Sequence, residues 1–413
     1  MLDNSTTRYS PPMRFGLLLC VAACAVPATS EVEQFSVSAE VKQERAALIR
    51  DSAAEMGLYN AALLGGIATS ETNFAHCWDE AQFACKGPAS PSCDGGPIIA
   101  GGADGPCSAM QGGLGMFQFD AGTYAQTIAE YTDSILTVEG NTAQAVAFVV
   151  DKVELDIDGV TDWMSAVAWL NSIPFTAGDP LTERWAQLIA CRYNGCCSAS
   201  ATCTSRRNAY RDNAIDLHTE LGADFWRTAD RCAALGTDGI IDQRTACYLA
   251  GGEPRYWRHE AGGFDDDHEW TASTTASQPS NFARWLLRPT RATTYHIEVN
   301  IQGGEATTAT YEIVHAGQSE RITIDQTTAD GFVVLGDFEL VGDGTEYVQL
   351  GDNTGASAQK LVYDALRVTA LDDIGGPGDD DDGDRGDGGC ATGGRAAPWL
   401  VLLALALIPR RRR

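Results

Sequence analysis

The apolar period changes once along this chain, near residue 238, and that change limits what the chain can fold into. Upstream, residues 38–228 carry helical spacing. SAEVKQERAALIRDSAAEMG repeats apolar positions every third or fourth residue and ends in Gly57, suited to the left-handed residue that closes a helix. TAQAVAFVVDKVEL and ERWAQLIACRYNG continue in that style. Downstream the pattern alternates. YHIEVNI places Tyr295, Ile297, Val299 and Ile301 on one strand face, and ERITID and GFVVLGDFEL follow suit. Turn signals such as Gly303-Gly304 and Gly342-Asp343-Gly344 separate the runs. The prediction is a multidomain protein: an α-rich domain over 38–228 and an all-β, jelly-roll-like sandwich over 238–371.

Both ends read as processing segments. Met13-Arg14, the apolar run Phe15 to Val26 and the small residues Ala28-Thr29-Ser30 predict a signal peptide over 1–30. Val21-Ala22-Ala23-Cys24 offers a second reading, a lipobox in which Cys24 becomes a lipidated N-terminus. At the other end, GGPGDDDDGDRGDGG has almost nothing to bury and repels itself, so 372–389 is expected to be a disordered acidic linker. Residues 390–413 follow, with Cys390, a short apolar run and four closing arginines. A plain membrane anchor is one reading. The order Gly-Cys, short apolar helix, arginine cluster also resembles the MYXO-CTERM sorting signal. That resemblance implies a sorting protease as partner, removal of the helix, and display at the cell surface or outer envelope through Cys390.

Export makes disulfides the default for the cysteines of the folded part, Cys77, Cys85, Cys93, Cys107, Cys191, Cys196, Cys197, Cys203, Cys232 and Cys247. The pairing is not legible from spacing. A zinc site on Cys191, Cys196, Cys197 and Cys203 is the competing reading; no metal or other cofactor is expected. Residues 75–114 are rich in Gly, Pro and Cys and have little to pack, so bridges must hold them. The net charge of −27 excludes nucleic acid as the main partner.

Glu71 is the residue the helical pattern does not explain. Leu64, Ile67, Ala68 and Glu71 fall on one helix face, so a carboxyl shares apolar surface near a helix C-terminus. Poor solvation and the helix dipole both oppose its ionisation. A carboxylic acid that keeps its proton is what a glycosidic oxygen needs from a general acid. Two more segments bear on it: GGLGMFQFDAGTY, a glycine-rich turn with Gln118, and CRYNG, a helix end with Tyr193 and Asn194.

In order, ATSETNF, GLGMFQFDAGTY and ACRYNG resemble the signature segments of SLT-type lytic transglycosylases, over about residues 45–215. The resemblance implies a lysozyme-like fold with Glu71 as the catalytic acid and base. It implies substrate contacts through Met116, Gln118, Tyr193 and Asn194, with Tyr193 orienting Glu71. Peptidoglycan glycan strands are then the partner, cut between N-acetylmuramic acid and N-acetylglucosamine with a 1,6-anhydro product. Arg192 departs from the family's alanine, and Asp120-Ala121-Gly122 from its proline-containing turn. Two alternatives stand beside this reading. One is a true lysozyme that uses a second carboxylate among Asp79, Asp94, Asp104 and Asp120; the other is a non-catalytic wall-binding or adhesion protein.

The β segment resembles the golvesin/Xly-type carbohydrate-binding-like domain through Ala283-Arg284-Trp285, Tyr311 to Gly317, Ile324-Asp325-Gln326 and Val362 to Arg367. That implies binding to wall glycan or another extracellular polysaccharide. Trp257 and Trp270 are candidate sugar-stacking rings, whereas Trp285, inside a strand, is expected in the core. The acidic run Asp265 to Glu269 reads as a solvated loop rather than a calcium site.

Overall fold

The computed structural model describes residues 37–81, 84–101, 107, 112–228, 231–236 and 238–371. The predicted signal peptide, Cys24, the acidic linker and the tail bearing Cys390 lie outside these residues, as does Asp104. The helical and β parts belong to one compact unit but keep separate apolar cores.

The helical part starts with α1 (Ala39–Glu55), capped by the Ser38 hydroxyl on the Val41 N–H. It stops where the sequence says it should: Gly57 adopts φ +86°. Helix α2 (Ala62–Thr72) follows and buries Leu63, Leu64, Ile67 and Ala68 completely or nearly so. A two-stranded hairpin, β1 (Cys85–Ala89) with β2 (Pro97–Ala100), forms the cysteine-rich insert. Disulfides Cys77–Cys93 and Cys85–Cys107 hold it, and, against the expectation that it has little to pack, Ile98, Ile99 and Ala100 are buried in the core of the helical part. Helices α3 (Tyr124–Tyr131), α4 (Val138–Asp156), α5 (Trp163–Asn171), α6 (Pro180–Asn194), α7 (Ala201–Leu221) and α8 (Ala223–Trp226) complete the part. Cys191–Cys197 and Cys196–Cys203 pair across the α6–α7 turn, so the four cysteines read as a possible zinc set are two disulfides.

Close contact between α2 and α7 depends on Gly66. A Cβ there would lie 2.6 Å from the Ala214 Cβ and 2.8 Å from its backbone nitrogen, closer than atoms can pack. Without a side chain, the two helix backbones approach, and a residue one turn further along α2 meets one a turn earlier in α7.

The β part begins with β3 (Asp238–Ile241), β4 (Tyr248–Gly252), β5 (Arg258–Glu260), β6 (His268–Ala272) and β7 (Asn281–Leu286). Next come β8 (Thr293–Ile301), β9 (Ala309–His315), β10 (Gln318–Ile324), β11 (Gly331–Leu340), β12 (Tyr347–Gly351), β13 (Lys360–Tyr363) and β14 (Leu366–Ala370). Five strands form one antiparallel sheet in the order β10-β9-β12-β7-β4, and four form another, β11-β8-β14-β3. A short third sheet joins β13, β6 and β5. The two larger sheets pack their apolar faces into one core: Tyr295, Ile297, Val299 and Ile301 from β8 meet Tyr311, Ile313, Val348 and Leu350. The alternation read from YHIEVNI is therefore the inward face of a β-sandwich. Trp285 is fully buried, and its indole N–H donates to the Asp364 carbonyl at 2.9 Å.

Candidate functional site

Three chain segments meet at the C-terminal end of α2, where Glu71 occupies the penultimate position. The sequence reads as an isolated carboxyl on an apolar face; the structure surrounds it with donors. The Tyr210 hydroxyl of α7 donates to Glu71 Oε1, and Asn194 Nδ2, at the end of α6, donates to the same oxygen at 3.2 Å. Asn194 Nδ2 also donates to the Tyr210 hydroxyl oxygen. Tyr210 is fully buried. Burial first, then the charge of Glu71, pushes its hydroxyl well above the ordinary tyrosine range, so it stays a protonated donor.

In this arrangement the expected site residues have partners within the protein. Tyr193, predicted to orient Glu71, donates instead to the Phe117 carbonyl and packs its ring on Phe148 at 5.3 Å. Its hydroxyl is likewise pushed far up, by burial first and then by the nearby Glu71 charge. Asn194, predicted to hold sugar, holds the carboxylate. Tyr210 is the residue that motif reading missed. A signal existed: Tyr210, Ala214 and Leu217 repeat at helical spacing and are the buried residues of α7, so a hydroxyl sits on an inward face.

The Gly115–Gln118 turn forms the other side of the site, and its residues are structural. Gly115 has φ +71°, and a Cβ there would come within 2.6 Å of Asn141 Nδ2. Gln118 also takes a positive φ, +52°, and its Nε2 donates to the Gly115 carbonyl at 2.7 Å. Its amide donor therefore closes its own turn. Met116 is fully buried, so its side chain belongs to the core and not to a sugar-facing surface. The Met116 carbonyl accepts from the Thr72 hydroxyl at 3.1 Å, which explains a small hydroxyl residue after Glu71: it ties the helix end to this turn. Asn141 Oδ1 takes the Phe117 N–H at 3.0 Å, adding a third tie.

The α6–α7 disulfides fix Asn194 against Tyr210, because both close short loops directly beyond the helix end. Arg192 turns away, with Nε donating to Asp156 Oδ2 at 2.7 Å, so the departure from alanine is absorbed by a surface ion pair. Of the acids considered for a second carboxylate, Asp79, Asp94 and Asp120 are exposed, and Asp120 Oδ1 accepts from the Gly122 N–H at 2.6 Å.

In the β part, Trp257 is half-buried with its ring centroid 4.8 Å from that of Tyr363, so it packs against the core of the sandwich. Trp270 is also half-buried, with the Lys360 ammonium 5.8 Å from its ring centroid. Arg244 supplies the cation of the acidic loop, with ion pairs to Asp242 at 3.2 Å and Asp265 at 3.0 Å. A cleft of about 1070 Å³ lies away from Glu71, between helices α4 and α5 and the outer face of the five-stranded sheet.

No curated protein matches the chain. Among solved structures, similarity extends to a Paenibacillus xanthan lyase at 16% identity and a TM-score of 0.29, covering 34% of this chain and 13% of that one. The catalytic domain of a GH87 alpha-1,3-glucanase is 13% identical, with a TM-score of 0.20 over 33% of this chain and 29% of that one. The Agl-KA catalytic domain is 10% identical, with a TM-score of 0.19 over 35% and 29%. The chain thus spans well under two thirds of each of these proteins. Residues 248–370, from β4 to β14 of the sandwich, match the Golvesin C-terminal domain family.

Proposed function

We propose that the helical part cleaves peptidoglycan glycan strands by the lytic transglycosylase route, with Glu71 as the single acid and base. The observation that supports this reading is the convergence on one carboxyl of a hydroxyl from α7 and an amide from α6, beside a turn locked by Thr72. Both donors fall on Oε1, so Oε2 is the oxygen that carries the proton in the proposed step. A hydrolase of glycosides needs a second carboxyl group, and among the described residues Asp79, Asp94 and Asp120, three of the acids considered for that place, are exposed. In the proposed step, Glu71 gives its proton to the oxygen between N-acetylmuramic acid and N-acetylglucosamine as the C1–O bond breaks. The C6 hydroxyl of the same muramic residue then closes on C1 and returns its proton to Glu71. No water is consumed. The golvesin-family sandwich would hold wall glycan or another extracellular polysaccharide nearby, raising local substrate concentration. The proposed setting is the cell surface, reached through export and C-terminal sorting.

Mass spectrometry of muropeptides released from purified peptidoglycan tests this directly. Fragments ending in 1,6-anhydro-muramic acid, lost in Glu71→Gln, are the expected result. Reducing muramic ends would make the protein a hydrolase. Equal release by both proteins would show that catalysis does not run through Glu71, and release by neither would leave a wall-binding protein.

A further inference from the structure

The large cleft is not used by the chemistry proposed for Glu71. Its volume of about 1070 Å³ sits at the top of the roughly 300–1,000 Å³ range of small-molecule pockets, so an oligomer fits it better than a single ring.

One wall is the sheet. Alternation along β7, β9 and β12 sends Trp285, Tyr311, Ile313, Val348 and Leu350 into the core. It leaves Arg284, Thr310, Glu312, Tyr347 and Gln349 facing the cleft. Strand register aligns three of these in a row, because Gln349 pairs with Glu312 on one side and with Arg284 on the other. Arg284 Nε and Nη2 both donate to Gln349 Oε1, at 2.9 and 2.6 Å, and the guanidinium lies 3.7 Å from the Tyr347 ring centroid. These side chains already restrain one another, so binding costs little further ordering. The facing wall comes from α4, through Val150, Asp151 and Glu154, and from the start of α5. Trp163 on α5 meets Phe282 of the sheet edge-on at 6.4 Å.

Charge selects the occupant. Carboxylates of Asp151, Glu154, Asp162, Glu253 and Glu312 outnumber the guanidinium groups of Arg284 and Arg321, which leaves the lining net negative. A polyanion is repelled there. Planar amides, a guanidinium, carboxylates and hydroxyls beside aromatic rings suit a chain of hydroxyl and acetamido groups with apolar ring faces. We propose that this cleft binds an uncharged N-acetylhexosamine oligomer, a second glycan site separate from Glu71; the sugar class rests on the proposed function above.

Calorimetry and hydrogen exchange on full-chain Glu71→Gln with chitopentaose test it, with a hyaluronan oligomer of similar length as the anionic comparison. Chitopentaose is expected to protect the amides of residues 309–313 and 347–351, and the hyaluronan oligomer is not. Gln349→Ala and the size-preserving Glu312→Gln are each expected to weaken that binding about tenfold or more, with unchanged thermal transitions showing that the fold is kept. Protection confined to the surroundings of Glu71, or an affinity that neither substitution changes, overturns the proposal. Binding at the cleft, together with no muropeptide release by the unsubstituted chain, would uphold this site and reject the enzyme.

Discussion

Removing one oxygen atom from α7 isolates the contact on which the Glu71 site is built. Tyr210 is fully buried and its hydroxyl donates to Glu71 Oε1, while Asn194 Nδ2 reaches both groups. In Tyr210→Phe the ring and its packing stay. Glu71 keeps only the Asn194 donor at 3.2 Å. A hydrogen bond to a charged group contributes about 1.5–3 kcal/mol, and leaving a partner unsatisfied costs a similar amount. The expected loss of stability is therefore about 2 kcal/mol. Glu71→Gln alone keeps the shape of the side chain but changes what Tyr210 faces. In a double-mutant cycle read by urea unfolding of the full chain, the pair should couple by about 1–2 kcal/mol, since contacting residues share the interaction. If the chain is an enzyme, Tyr210→Phe should also lower muropeptide release about tenfold, the equivalent of about 1.4 kcal/mol in the barrier. Additivity of the two substitutions to within about 0.3 kcal/mol would refute the reasoning, because the hydrogen bond would then carry no energy.

Three other outcomes follow from the same structure. Gly66→Ala should destabilise the helical part by about 1–3 kcal/mol through overpacking against the Ala214 backbone. A circular-dichroism melt checks it, and an unchanged midpoint would mean that α2 and α7 can part freely. Arg45 is buried and paired with Glu80 at 2.6 Å. Arg45 keeps its bond to the Phe74 carbonyl in Glu80→Gln, so the lost charge should cost about 1–3 kcal/mol, measured as a shift of the urea midpoint. Asp364 is raised from 3.8 to about 6, chiefly by burial. The folded chain thus holds this proton where the unfolded chain has lost it, so stability is full below about pH 4 and falls as pH rises through about 6. At about 1.4 kcal/mol per unit, and allowing for solvent screening, the fall is roughly 2 kcal/mol. Subtracting the Asp364→Asn stability profile between pH 4 and 7 should reveal that slope, and a flat difference would contradict it.

Periodicity located the elements because it reflects only which face of a helix or strand meets the core. Gly57, the α2 run from Leu63 to Ala68, and the β8 alternation were legible for that reason. The motif segments were legible too, but the roles within them were not. Met116 is core, Gln118 closes its own turn, and Tyr193 serves the Phe117 carbonyl. Hydrogen-bond partners depend on which helix comes alongside, and sequence spacing carries no such information across the 139 positions between Glu71 and Tyr210.

Cysteine count and apolar period by themselves determined a bridged helical part followed by a β-sandwich. Tertiary structure alone decided which sulfurs joined, which hydroxyl reached Glu71, and that alternate residues of three strands face a negatively lined cleft against α4. The physical reason is range: a local pattern fixes the direction of a side chain relative to its own backbone, whereas a site requires side chains from distant segments within about 3 Å of one another.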